Sequence, residues 1–147
     1  MPKVFFHYAD RVLSLNNKKK LRSYIESIFA KEKTSFFRLD YIFCSDEHLL
    51  AINRNFLKHD FYTDIITFNL SENKNIAGEV YISVDRVKEN AKTLNLPFEE
   101  ETLRVIFHGV LHLCGYKDKK KADIKQMREK ENHYITIFRR SLNKRST

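Results

Sequence analysis

Residues 64–84 read DIITFNLSENKNIAGEVYISV, and this stretch decides the fold. Asp64–Leu70 and Glu79–Val84 are short runs of β-branched, aromatic and aliphatic residues, separated by a polar stretch that ends in Gly78. That pattern reads as two strands joined most simply as a hairpin. Outward from the hairpin, the chain alternates between strand and helix. Lys3–Tyr8 reads as a first strand. Lys18–Lys31 follows as a helix, with Leu21, Ile25, Ile28 and Phe29 at helical spacing. In Phe36–Cys44, Phe37, Leu39, Tyr41 and Phe43 alternate with other residues as strand positions do. Ser45 is placed to cap a helix over Asp46–Phe56. A short helix over Asp85–Asn95 precedes Pro97, which suits the start of another helix reaching about Cys114 and stopped by Gly115. The last helix, about Lys121 to Arg140, is expected to bury Ile124, Met127, Tyr134 and Phe138 along one stripe. Strands and helices intermixed around at least one hairpin give an α+β fold, a small mixed β-sheet packed by helices.

The 147 residues fit one domain, 1–147, with the last few residues loose. Only three Gly and two Pro occur, with no repeat and no linker-like stretch. No apolar run reaches the roughly 18 to 20 residues that a membrane span needs, and the N-terminal stretch lacks the apolar centre of a signal peptide. A cytoplasmic protein without membrane partners is expected, and its two cysteines, Cys44 and Cys114, are expected as buried thiols rather than a disulfide. The net charge of +8 is unevenly spread: Lys117–Thr147 holds eleven Lys and Arg against four Asp and Glu, a net +7. A basic tract of this kind suits a polyanion such as nucleic acid. A solvated helix face with a basic tail accounts for it equally well.

His108-Gly109-Val110-Leu111-His112 puts two imidazoles four residues apart near a helix end, on one face and about one turn from each other. Gly115 permits a left-handed turn that can bring Asp118 back toward the same point. Two His and one carboxylate would hold a divalent ion with a coordination position left for water, as catalytic rather than structural zinc sites do. The zinc peptidase motif H-E-x-x-H needs Glu after the first His as general base. Gly109 occupies that place and disfavours a peptidase.

The longer string His108–Asp118 resembles the signature of the bacterial YbeY family, H-G-x-L-H-L-x-G-Y-D-H, at seven of its nine specified positions. Asn53–Phe68 is similar to the family's L-N-x-x-Y-R-x-x-D-x-P-T-D-V-L-S-F segment, and Gly78–Ser83 to its G-D-I-x-I-S strand. The resemblance covers about Ile52 to Glu131, with the motifs in the family's order. It implies a cytoplasmic metallo-endoribonuclease that prefers single-stranded RNA. The family's role is in ribosomal RNA maturation, including the small-subunit 3′ end, and in ribosome quality control.

The departures from the family are specific. Asp118 stands where the family has its third His, and Lys117 where it has Asp. The ion is expected to be Zn2+, with Mn2+ or Ni2+ as alternatives, because an oxygen ligand also suits harder metals. Leu57 replaces an Arg that the family directs into its cleft, so Arg54, one helical turn earlier, or Lys58 becomes the candidate phosphate contact. Tyr62 replaces a Pro, a change of turn. Glu79 replaces the Asp of the Gly-Asp pair and is a candidate to hold a ligand imidazole or to accept a proton from the attacking water. The expected site therefore comprises His108, His112 and Asp118 on the metal and Glu79 and Arg54 in catalysis. Lys58, Lys119, Lys120, Lys121, Lys125 and Arg128 are placed on the RNA. Partners would be single-stranded RNA, ribosomal RNA or ribosomal subunits. The contrasting reading is a ribosome-associated RNA-binding module whose metal is structural.

Overall fold

The computed structural model describes residues 3–143. The elements run β1 (Val4–Tyr8), α1 (Lys18–Lys31), β2 (Phe36–Cys44), α2 (Asp46–Leu57), β3 (Ile65–Asn69), β4 (Ile76–Ser83), α3 (Val84–Leu94), α4 (Phe98–Leu113) and α5 (Lys121–Asn143). The expectation that the last residues are loose falls on 144–147, outside the described residues.

The fold is α+β with one mixed sheet in the order β1-β2-β4-β3. β1, β2 and β4 are parallel, and β3 returns antiparallel on β4 with Ile65 opposite Ile82 and Asn69 opposite Gly78. The hairpin read from residues 64–84 is therefore present, but its second strand begins at Ile76 rather than Glu79. Gly78 lies inside the strand because α4 crosses there: a Cβ on Gly78 would sit 2.7 Å from Leu113 Cδ1. Close approach of helix to sheet, not a turn, explains this glycine.

One face of the sheet presents Leu39, Tyr41, Phe43, Val80 and Ile82, and these form the main core with α1, α3, α4 and α5. Tyr41 is fully buried and its hydroxyl donates to Ile106 O at 2.9 Å, which fixes α4 over the sheet. The other face is covered by α2, where Leu49 and Ile52 pack with Cys44, Ile66, Phe68 and Tyr81. Ser45 caps α2 as the sequence implies, its side chain accepting from His48 N at 3.1 Å. Three glutamates, Glu99, Glu100 and Glu101, occupy the first turn of α4, where they complement the helix dipole.

Three side chains differ from the sequence reading. Phe37 is 65% exposed, because the β2 register shifts between Phe36 and Arg38 and turns Phe36 inward instead, onto Phe29 at 4.1 Å between ring centroids. Ile124 is exposed, since the buried stripe of α5 starts one turn later at Met127 and continues through Glu131, Tyr134, Ile135 and Phe138. Cys114 is half-buried rather than buried; both cysteines are free, and burial pushes the Cys44 thiol up to about 12 and the Cys114 thiol to about 11. Thiols held that far above neutral pH are poor nucleophiles.

Candidate metal centre

The site is built where α4 ends. Gly109 is turned into the sheet, where a Cβ would meet Val80 Cγ1 at 3.0 Å. His108 and His112, one turn apart, therefore share the neighbouring face, with their rings 4.7 Å apart. The helix stops at Leu113, and Gly115 takes φ 104°, so that Tyr116 N–H returns to Leu111 O at 3.0 Å. The reversed chain is tied down by Tyr116, whose hydroxyl donates to Glu32 Oε1 at 2.7 Å. Asp118 follows, and its Oδ2 lies 3.2 Å from both His108 Nε2 and His112 Nε2.

These three donor atoms lie within 4.8 Å of one another. The ligand-to-ligand edge of a tetrahedral zinc site with bonds of roughly 2.0–2.1 Å is about 3.3 Å. Two of the edges are thus already close to that length. The His108 Nδ1–H donates to Glu131 Oε2 at 2.6 Å, which leaves the Nε2 lone pair facing Asp118. Lone pairs that converge in this way are stable around a proton or a cation. Burial pulls the His108 pKa down, but the Glu131 hydrogen bond and the charges of Glu131, Asp118 and Asp64 outweigh it and hold the ring above the usual 6.5. The donor set therefore fits a divalent ion.

The centre opens into a cavity of about 530 Å³ between α4, α5 and the exposed edge of β3. Glu131, 4% exposed, is gripped on its other oxygen by Arg104 at 3.2 Å. Asp64 and Glu101 also line the cavity, and burial raises the pKa of both carboxyls above the ordinary range. Asp64 Oδ2 accepts from Asn90 Nδ2 at 3.3 Å.

The fold brings His108, His112 and Asp118 together and leaves other expected residues elsewhere. Glu79 belongs to the opposite face of the sheet, because side chains alternate along β4 and it is Gly78 and Val80 that face α4. Its Oε1 accepts from Tyr81 OH at 3.1 Å, and it does not line the cavity. Glu79 therefore cannot hold either imidazole, and Glu131 occupies that role against His108. Arg54 lies on α2, exposed and paired with Asp60, and neither it nor Lys58 lines the cavity. Arg128 does line it, 3.8 Å from Glu131 Oε1, while Lys119, Lys120, Lys121 and Lys125 stand exposed at the start of α5. Sequence reasoning missed Glu131 and Arg104. The available signal was an acid within the apolar stripe Met127, Glu131, Tyr134, Phe138, a position that a solvated glutamate does not occupy.

No helix among the described residues is long and apolar enough to cross a membrane. The family model described as Endoribonuclease YbeY matches residues 7–139. A Cytophaga hutchinsonii protein named Endoribonuclease YbeY is 47% identical over 135 residues, covering 91% of this chain and 94% of its own. A Flavobacterium johnsoniae protein of the same name is 43% identical over 133 residues, covering 90% and 95%. The solution structure of a protein from Thermotoga maritima superposes with a TM-score of 0.66 at 29% identity, covering 95% of this chain and 91% of that one. With the family model spanning nearly the whole chain and relatives above 40% identity over almost their full length, this chain belongs to the Endoribonuclease YbeY family.

Proposed function

We propose that this protein is a metal-dependent endoribonuclease that cuts single-stranded RNA in the cytoplasm, in ribosomal RNA maturation and ribosome quality control. The observation that carries the reading is the convergence of His108 Nε2, His112 Nε2 and Asp118 Oδ2 at the wall of an open cavity, in a chain of this family. Those three atoms would hold one divalent ion, Zn2+ in the first instance with Mn2+ or Ni2+ as alternatives. When bound, the ion supplies an acidified water and a Lewis acid for a phosphoryl oxygen.

The protein's own residues supply orientation and charge. Glu131, itself held by Arg104, orients the His108 ring so that Nε2 faces Asp118, where it would hold the ion. Of the cavity carboxylates, Asp118 is a ligand, Glu131 is committed to His108 and Arg104, and Glu101 lies 3.7 Å from Arg104 Nε. Asp64 is left as the carboxylate to exchange a proton with the attacking water or 2′-hydroxyl, and burial already raises its pKa toward neutral pH. Arg128 at the cavity, with Lys119, Lys120, Lys121 and Lys125 leading to it, would contact the RNA backbone.

The test is incubation of the purified protein with single-stranded and duplex RNA, with and without chelator, followed by add-back of each metal. Cleavage of the single strand that chelator abolishes and metal restores is the expected result. Tight RNA binding with no cleavage under any metal would favour the binding module with a structural metal.

A further inference from the structure

The loop between α2 and β3, residues 58–64, carries an aromatic surface that the core does not use. Phe61 is 52% exposed and Tyr62 47% exposed, although burying a large aromatic ring is among the larger gains open to a folding chain. The loop backbone is nonetheless fixed. Lys58 takes a left-handed φ of 58° and ends α2, and His59 N–H then donates to Asn53 O at 3.1 Å. Asn53, only 2% exposed, donates through Nδ2 to Phe61 O at 2.9 Å. A buried amide is costly unless it is bonded, and here its bond pins the backbone of Phe61 itself.

The rings around this point are unequal. Tyr62 is tied back, its hydroxyl donating to Glu47 Oε1 at 2.6 Å and the Arg86 guanidinium lying 5.2 Å from its ring centre. Phe61 is backed by the His59 ring at 5.1 Å and 30° between planes. Beyond Tyr62, Thr63 and Asp64 line the metal cavity. Two residues of chain span at most about 7 Å, so the Phe61 backbone lies within that distance of Thr63 at the cavity wall.

We propose that Phe61, backed by His59, is a stacking platform for one unpaired nucleobase of the RNA strand whose backbone enters the cavity. The proposal rests on the endoribonuclease reading above and adds to it a reason for preferring single strands. A duplex has its base faces already covered, whereas an unpaired base offers a free face to an aromatic ring. Charge supports RNA over a protein partner: the cavity that Thr63 and Asp64 line also holds Arg128, with exposed Lys119, Lys120, Lys121 and Lys125 leading to it. The feature belongs to this chain, because the motif that Asn53–Phe68 resembles leaves the position of Phe61 unspecified.

The experiment measures binding of metal-loaded protein to a short 2′-O-methyl single-stranded RNA, to its duplex, and to a series of strands in which one abasic site is moved along the sequence. Phe61→Leu keeps an apolar side chain but removes the flat face. It is expected to weaken single-strand binding roughly 5- to 150-fold, the range for one base stacked on an aromatic ring. The salt dependence should not change, because every phosphate keeps its cationic partner. Duplex binding and metal content should match the wild type, and Phe61→Trp should restore single-strand binding. In the wild type one abasic position should weaken binding most, and Phe61→Leu should erase that penalty. Unchanged RNA affinity of Phe61→Leu overturns the platform, and so does an abasic penalty that persists in the variant. The exposed ring would then serve a protein partner. If the wild type binds and cuts RNA while Phe61→Leu is silent, only the platform falls. If the wild type neither binds nor cuts RNA, both readings fall.

Discussion

Glu131 reaches back from the middle of α5 to accept a hydrogen bond from His108 Nδ1 at 2.6 Å, so a residue 23 positions away sets the direction in which His108 Nε2 faces Asp118. Glu131→Gln keeps an acceptor but removes its charge, and metal affinity measured by chelator competition is expected to fall about 10- to 100-fold. Glu131→Ala should lose more and should also destabilise the fold, because Arg104 would remain buried without its partner; removing one member of a buried pair costs about 3–5 kcal/mol.

Asp118 offers a carboxylate oxygen to the proposed metal in a place where the family signature has His. Asp118→His is expected to retain metal. Exchanging an anionic for a neutral ligand leaves the bound water more acidic, so the rising limb of the pH–rate profile should move to lower pH. Complete loss of metal in this variant, read by elemental analysis, would show that Asp118 does not occupy a ligand position.

Glu32 joins the end of α1 to the reversed chain and to α5, accepting hydrogen bonds from Tyr116, Tyr134 and Lys130. Burial pushes its carboxyl up, but these three partners outweigh burial and hold it below the ordinary 4.5. The folded state therefore binds this proton less readily than the unfolded chain. The stability it contributes is fully present above pH 4.5 and is lost as pH falls through the lower folded value. Glu32→Gln should cost about 1–3 kcal/mol at pH 7 and flatten the acid-side decline, as read by urea denaturation at several pH values.

On the proposed function, the basic residues leading to the cavity act through phosphate. Changing Lys119, Lys120 and Lys121 together to Ala should lower the slope of log affinity against log salt by about 0.7 for each phosphate no longer neutralised, evenly across sequences. Folding and metal content should not change, because exposed lysines contribute little to stability. An unchanged slope would assign the tract to solvent.

Gly109→Ala places a methyl 3.0 and 3.1 Å from the two Val80 methyls and 3.4 Å from Ile65 Cδ1. Overpacking of this kind costs about 1–3 kcal/mol, seen as a lower thermal midpoint. A glutamate in the same place would point into the sheet, so the peptidase arrangement is closed by packing as well as by composition.

Most of the fold and the three converging donors were legible because they depend on local pattern. Ser45 as a cap, the hairpin of residues 64–84 and the His108/His112 spacing each need only a few neighbours in sequence. What escaped depends on which side of the sheet a residue falls. Glu79 stands beside a glycine in a motif that resembles the family's, yet strand alternation sends it away from the cavity. Phe37 alternated correctly until an irregularity at Phe36 shifted the register. Glu131 and Arg104 come from different helices, and their partnership appears only once α5 lies against α4.

The candidate ligands His108, His112 and Asp118 fall within eleven consecutive residues. A segment that short can chelate an ion before the rest of the chain has folded, and an ion stabilises a fold only through its preference for folded over unfolded chain. That preference comes from what the segment lacks by itself: the Glu131 carboxylate beneath His108 and the Glu32 tether on Tyr116. Thermal stabilisation by added metal should therefore be small for the tightness of binding, and the distant supports, more than the ligands, set the linkage between metal and folding.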